Sequence, residues 1–113
     1  MPFINTKVTT EISKEKETVL KERFGKALAL IGKPEAYLML NFEDKQRMWF
    51  AGNQNGEAAF VDVSILHTAP RASYEKLTAD LCNIISEELL ISPDRIYVKF
   101  EETENWGHAG YMF

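Results

Sequence analysis

The chain opens Met1-Pro2, and a proline in that position can become a base. Initiator methionine is normally removed when the next residue is small, and proline qualifies. Removal leaves a secondary amine, the only backbone nitrogen that exchanges a proton near neutral pH. A free α-amino group titrates at about 8, and a dry or cationic setting moves it down toward the range where a general base works best. The pyrrolidine ring holds φ at about −65°, so the lone pair keeps one direction once the strand is fixed. Other chemistry-bearing residues are sparse. Cys82, the lone cysteine, lies on the apolar side of a helical pattern without a disulfide or redox partner, and reads as a small core residue. His67 and His108 are far apart and have no companion carboxylate or cysteine at ligand spacing, so neither a metal site nor a cofactor is expected. Glu101-Glu102-Thr103-Glu104 reads as a solvated acidic loop.

The elements that must position Pro2 follow from periodicity, and the pattern occurs twice. Residues Pro2 to Val8 form a strand; Leu20, Phe24, Ala27, Leu28 and Ile31 then repeat at helical spacing, with charged residues on the other face. Gly32-Lys33-Pro34 ends that helix, glycine as the cap and proline as the stop. Tyr37 to Phe42 is the returning strand. In the second half, Ala58 to Leu66 is a strand, Leu77, Leu81, Ile84, Ile85 and Leu89 form a helical stripe, Ser92-Pro93 stops it, and Ile96 to Phe100 is a strand again. A strand, a helix and a returning strand make a parallel pair with a right-handed crossover. Two such units predict an α+β fold: a tandem βαβ repeat forming a four-stranded mixed sheet with both helices on one face. Met48-Trp49-Phe50-Ala51 and Asn55-Gly56 suggest a short extra strand folded back as a hairpin.

Alternation sorts the faces of the sheet. Leu38, Leu40, Phe42, Val61, Val63, Ile65, Ile96, Val98 and Phe100 are purely apolar and belong under the helices. The opposite face carries Phe3, Asn5, Tyr37, Met39, Asn41, Phe60, Asp62, Ser64, Leu66, Tyr97 and Lys99. That mixture is too apolar for open water and too polar for a dry core, so it predicts an association surface, met most economically by a closed ring of subunits around a partly wet centre.

With 113 residues, 45% of them hydrophobic, the chain is expected to form one domain with a single core over 1–113. A formal net charge of −4 argues against a nucleic-acid partner, and no basic amphipathic segment points to a membrane surface. The first residues carry no long apolar region, so neither a secretory signal nor a membrane span is expected, and the default address is cytoplasmic.

Pro2 after Met1, Gly32-Lys33-Pro34 before a strand, Ile91-Ser92-Pro93-Asp94-Arg95-Ile96-Tyr97, and the aromatic tail from Asn105-Trp106-Gly107 to Phe113 occur in an order and spacing that resemble the macrophage migration inhibitory factor family of the tautomerase superfamily. The resemblance covers nearly the whole chain, and the plain composition suits a microbial member. It implies a homotrimer with active sites at subunit interfaces and keto–enol tautomerase activity on phenylpyruvate-type acids and dopachrome-like model substrates. It implies Pro2 as the base, Lys33 as the cation for the substrate carboxylate, Leu66 and Tyr37 as pocket walls, Tyr97 from a neighbouring subunit, and Trp106 and Phe113 as apolar floor and rim. The alternative it leaves open is a non-catalytic, cytokine-like trimeric binding protein that keeps the site as a relic.

Three departures from the family pattern bear on chemistry. The tail ends Trp106-Gly107-His108-Ala109-Gly110-Tyr111-Met112-Phe113 rather than in the Gly-Trp-Asn-Gly-Ser-Thr-Phe type, which bears on substrate preference. Ala58-Ala59-Phe60-Val61 stands where the vertebrate cytokine has Cys-x-x-Cys, so thiol–disulfide chemistry has no basis. Lys99 stands where a site asparagine is common. It follows Tyr97 by two residues and shares its face of the strand. It is therefore expected to line the pocket as a second cation that lowers the pKa of Pro2; the competing reading pairs it with Asp62 or a glutamate and leaves it electrically silent.

Overall fold

Both apolar stripes fold as helices, and each helix ends where its stop signals lie. The computed structural model describes all of residues 1–113. Helix α1 (Lys14–Ala27) is capped by Ser13, whose hydroxyl accepts from the Lys16 N–H, and Glu15 and Glu17 in its first turn suit the helix dipole. The helix tightens into a 3-10 turn at Leu28–Ile31, which Gly32 closes at φ 67°. That left-handed value costs an L side chain about 1–2 kcal/mol, which glycine avoids. Helix α2 (Arg71–Leu89) is followed by a 3-10 turn at Pro93–Arg95, where Pro93 prevents continuation.

The helices cover one face of a sheet made of β1 (Pro2–Val8), β2 (Met39–Glu43), β3 (Ala59–Leu66) and β4 (Ile96–Thr103), in the order β2-β1-β3-β4. The pairs β1–β2 and β3–β4 are parallel, each spanning one βαβ unit, and the units join antiparallel through β1 and β3. The expected tandem repeat and mixed sheet are present. Pro2 thereby starts a central strand, opposite Ile65.

The helix-facing side buries Ile4, Val8, Val61, Val63 and Ile65 against Leu20, Phe24, Leu77, Leu81 and Ile85, with Leu38, Leu40, Phe42, Val98 and Phe100 packed on this core. Cys82 is half-buried against the same cluster, and burial pushes its thiol pKa up. On the other side a polar row crosses all four strands at one register: Asn41, Asn5, Asp62 and Lys99. The Asn41 amide donates to Asn5 Oδ1 at 2.9 Å, and Lys99 Nζ lies 3.4 Å from Asp62.

One core position breaks the apolar pattern. Thr6 is fully buried on the helix side, and its hydroxyl has no hydrogen-bond partner. Leaving such a group unsatisfied costs about 1–3 kcal/mol, and valine has nearly the same shape. Thr6→Val is therefore expected to raise unfolding stability by about 1 kcal/mol or more, measured by denaturant titration. A loss of stability would mean the hydroxyl is satisfied after all.

Three local expectations are corrected. Tyr37 is not in a strand: Pro34, extended at φ −75° and ψ 145°, opens a 3-10 turn at Glu35–Tyr37, which the Leu38 N–H closes on the Glu35 carbonyl at 2.9 Å, so β2 starts two residues later at Met39. The hairpin around Asn55-Gly56 does not form. Instead Phe50 and Asn53 exchange backbone hydrogen bonds of 2.9 and 3.0 Å across Ala51-Gly52, whose φ values of 51° and 79° suit a type I′ turn. Met48 and Trp49 stay in a loop held by Arg95, which donates to Asn53 Oδ1 at 3.0 Å and the Glu57 carbonyl at 3.1 Å and lies over the Phe50 ring. Finally, the tail is more than aromatic residues: β5 (Gly107–His108) and β6 (Tyr111–Met112) form a small hairpin, and Phe113 N–H returns to the Trp106 carbonyl at 2.9 Å.

Candidate active site

Pro2 is buried at the inner end of a cleft of ≈ 690 Å³ that opens on the polar side of the sheet. Three segments build it. The start of β1 supplies Met1, Pro2 and Phe3; the 3-10 turn and the start of β2 supply Ala36, Tyr37, Leu38 and Met39; Ser64 of β3 and Thr103, Trp106, Gly107 and His108 close the far side. The Pro34 turn brings Tyr37, and the chain leading into the tail hairpin brings Trp106, to the cleft that Pro2 lines.

Lys33 reaches the same corner from the glycine cap. Its Nζ donates to the Leu66 carbonyl at 3.1 Å, while the Leu66 N–H donates to the Met1 carbonyl at 3.1 Å. The electrostatic consequence is visible at the chain start. Burial, and secondarily the Lys33 ammonium, hold the Met1 amino group below the range usual for a chain terminus. With Met1 in place the Pro2 nitrogen is an amide and has no basicity.

The tail completes an aromatic wall. The His108 and Phe113 rings stack at 5.7 Å and 18°, and both meet Tyr37 edge-on, at 5.8 and 6.5 Å. Leu66, expected as a wall, is buried and serves the site through its backbone.

Tyr97 and Lys99 lie elsewhere in the subunit. Tyr97 pairs in register with Phe60, five residues along β3 from the Ile65 partner of Pro2, a separation of about 16 Å at ~3.3 Å per residue. Its exposed ring packs on Phe50 at 5.1 Å and Phe60 at 6.5 Å. Lys99 is not brought to the cleft and carries no free charge. It pairs with Glu101 at 2.7 Å and Asp62 at 3.4 Å, and its pKa is raised chiefly by the Glu101 hydrogen bond. The active role expected for Lys99 gives way, within one subunit, to the silent one, because two carboxylates on its own face reach it first.

Sequence reasoning did not place Ser64, Thr103 or His108 at the site. Ser64 and Phe3 were legible as one face, being register partners; His108 was not, because the hairpin that turns it inward depends on tail residues with no strong periodicity. The other histidine is engaged, with His67 Nδ1 2.8 Å from Glu104. A larger groove of ≈ 880 Å³ runs between α2 and β4, lined by Tyr74, Phe100 and charged residues. Its Tyr74 hydroxyl donates to Glu102, and its pKa is pushed up to about 12, mainly by burial.

Two βαβ units joined in one mixed sheet, with a proline at the inner end of an aromatic cleft, define a tautomerase-like fold. The sequence profile of the macrophage migration inhibitory factor family matches residues 1–112, and the chain belongs to that family. The macrophage migration inhibitory factor of Meriones unguiculatus is 28% identical over 117 residues, covering 100% of this chain and 99% of that protein. Among solved structures, Leishmania major MIF2 superposes with a TM-score of 0.93 at 30% identity, over 100% of this chain and 97% of that one. The macrophage migration inhibitory factor homologue from Prochlorococcus marinus gives 0.89 at 28% identity, over 98% of each chain. No helix is long and apolar enough to cross a membrane.

Proposed function

We propose that the chain, once Met1 is removed, is a keto–enol tautomerase of phenylpyruvate-type α-keto acids, with dopachrome-like compounds as model substrates and Pro2 as the general base. The observation that carries this reading is the junction at Leu66. Its N–H is occupied by the Met1 carbonyl, and its carbonyl by Lys33. Loss of Met1 frees that N–H beside a new secondary amine and beside the Lys33 cation. A base, a backbone donor and a positive charge then lie close together, with Tyr37 and Trp106 lining the cleft for the substrate ring and Phe113 packed behind Tyr37.

Each group has a task. Lys33, with the Leu66 N–H, holds the carboxylate. The Pro2 nitrogen takes a proton from the carbon next to the ketone, the C–H pair becomes the C=C bond as the C=O π pair moves onto oxygen, and protonated Pro2 returns that proton, directly or through water, to the oxygen to give the enol. No bond to the protein forms and no co-reactant is consumed. Charge developing on oxygen is stabilised by the Lys33 cation beside it. A base of lowered pKa is more often unprotonated near neutral pH than an ordinary α-amine.

Tyr97 enters this reading as a wall supplied by a neighbouring subunit of a homotrimer. The support is the exposed second face: Met39 is 67% and Tyr97 58% exposed, and β2 and β4 are open sheet edges. Sedimentation at micromolar concentration is expected to give a trimer; a stable monomer would overturn the shared pocket.

The second reading is a non-catalytic signalling trimer that keeps the cleft as a relic. Ketonisation of enol-phenylpyruvate by Met1-free protein, and its absence in Met1-retaining protein, is the result expected of the enzyme. No turnover by homogeneous Met1-free trimer would favour the binding protein.

A further inference from the structure

The tail reaches the cleft on few ties. Thr103, Trp106, Gly107 and His108 line the cleft, yet from Glu104 to Phe113 every residue except Trp106 is exposed. Most hydrogen bonds of this segment close on the segment itself: β5 pairs with β6, and the Phe113 N–H returns to the Trp106 carbonyl. The Asn105 N–H donates to Thr103 Oγ1, at the end of β4, at 3.0 Å. One hydrogen bond alone joins residues 104–113 to anything beyond β4, the 2.8 Å contact between His67 Nδ1 and the Glu104 carboxylate.

His67 occupies its position under strain. Its φ is 67°, in the left-handed region that glycine enters freely and an L side chain does not. Such strain persists only where the surroundings hold it, and it gathers at functional sites. Here the His67 N–H donates to the Thr103 carbonyl at 2.8 Å, and the ring takes Glu104. The preceding residue, Leu66, takes Lys33 at its carbonyl and Met1 at its N–H. Two consecutive residues thus hold the cation, the chain start and the first residues of the tail.

We infer that His67 is a positioning residue for the cleft: by clasping Glu104 it keeps the segment that carries Trp106 in place. A contact between two exposed side chains adds little to global stability. Local opening is a different matter, because a segment with few ties opens at a free energy set by those ties. Loss of the clasp is expected to shift the tail toward open forms by about threefold, the scale of one exposed pair, while the helices and sheet stay folded. The inference rests on the Pro2 cleft as the substrate site for its kinetic consequence, not for the clasp itself.

The test compares His67→Gly, Glu104→Ala, the double variant and Glu104→Gln, all as assembled Met1-free protein. Glycine suits the left-handed backbone and deletes the ring, so His67→Gly should remove the clasp without lowering the thermal unfolding midpoint. Trp106 is read by acrylamide quenching in a Trp49→Phe background, since Trp49 lies in the loop beside Phe50 and outside the cleft. Both single variants are expected to raise the quenching constant of Trp106 alike, by roughly half or more. On chains that keep Trp49, KM for phenylpyruvate should rise about twofold to threefold with kcat within about twofold of the parent. The double variant should lose no more than either single one, as for two residues acting through one contact. Glu104→Gln, which still accepts from the ring N–H, should recover most of the parent's behaviour. A role confined to stability predicts lower unfolding midpoints and unchanged quenching. Unchanged quenching in Glu104→Ala, effects that add in the double variant, or raised quenching with an unchanged KM in active protein would each overturn the inference. A parent that does not turn over phenylpyruvate would sink the tautomerase reading, and the quenching would still decide on the clasp.

Discussion

Pro2→Gly is expected to lower tautomerase turnover by about a hundredfold or more, the scale of a lost general base, in protein from which Met1 has been removed. Glycine also leaves a free amine at the chain start, so the loss does not come from erasing a nitrogen. It comes from replacing a ring-held secondary amine by a primary amine that turns about its own Cα. Proline holds φ near about −65°, and in this chain that ring is buried at the head of a central strand opposite Ile65. The lone pair therefore has one direction relative to Lys33 and Leu66. A positioned base is worth far more than a mobile one, because reacting atoms must meet within a few tenths of an ångström. Pro2 lies at the first position of β1, so the substitution should leave the fold intact, and thermal unfolding of the same preparation separates chemistry from folding. Turnover within threefold of the parent, in homogeneous Met1-free Pro2→Gly protein, would remove Pro2 from the mechanism.

Lys33→Ala is expected to lower kcat/KM for carboxylate substrates by roughly tenfold to a hundredfold, the range of a charge-assisted hydrogen bond of about 1.5–3 kcal/mol. A dopachrome ester, which has no negative charge to hold, should lose much less. The ammonium donates to the Leu66 carbonyl at 3.1 Å, so the substitution also removes one neutral-acceptor contact, and a stability loss of about 1 kcal/mol accompanies it. That loss is common to both substrates and cancels in their ratio. The second consequence runs through the base. Lys33 lowers the pKa of the chain-start amine behind the larger effect of burial, so its removal should move the rising limb of kcat/KM to higher pH. Equal losses for acid and ester would mean that Lys33 does something other than bind the carboxylate.

The repeat was legible because its two stripes are long. Leu20, Phe24, Ala27, Leu28 and Ile31, and Leu77, Leu81, Ile84, Ile85 and Leu89, are all buried where helical spacing puts them. The alternation of β3 holds up to Ile65, with Val61, Val63 and Ile65 fully buried, and ends at Leu66, which is buried as well. What escaped was short. The Asn55-Gly56 signal lost to Ala51-Gly52 because Arg95, 42 residues from Asn53, takes the asparagine side chain, and a long-range contact of that kind leaves no local mark. Tyr37 left its strand because Pro34 starts a turn before the strand can begin. At the site, Pro2, Tyr37 and Trp106 were read from the chain, and the cleft holds all three. For Lys99, strand alternation gives a face but not a partner, and Glu101, two residues along on that same face, is the partner it has within the subunit.

The account stands most directly on the ionisation of one nitrogen. Met1-free protein labelled with 15N-proline allows the Pro2 amine to be titrated by NMR, while the pH dependence of kcat/KM for phenylpyruvate is measured on the same sample. Burial and Lys33 act on the proline amine in the direction in which they act on the Met1 amine, disfavouring the protonated form. Pro2 is therefore expected to titrate below the ordinary α-amino range of about 7.7–8.0, and kcat/KM should rise with pH along the same curve as the amine loses its proton. A Pro2 nitrogen that titrates in the ordinary range, or a rate that rises at a pH where that nitrogen does not change, would contradict the assignment of Pro2 as the base.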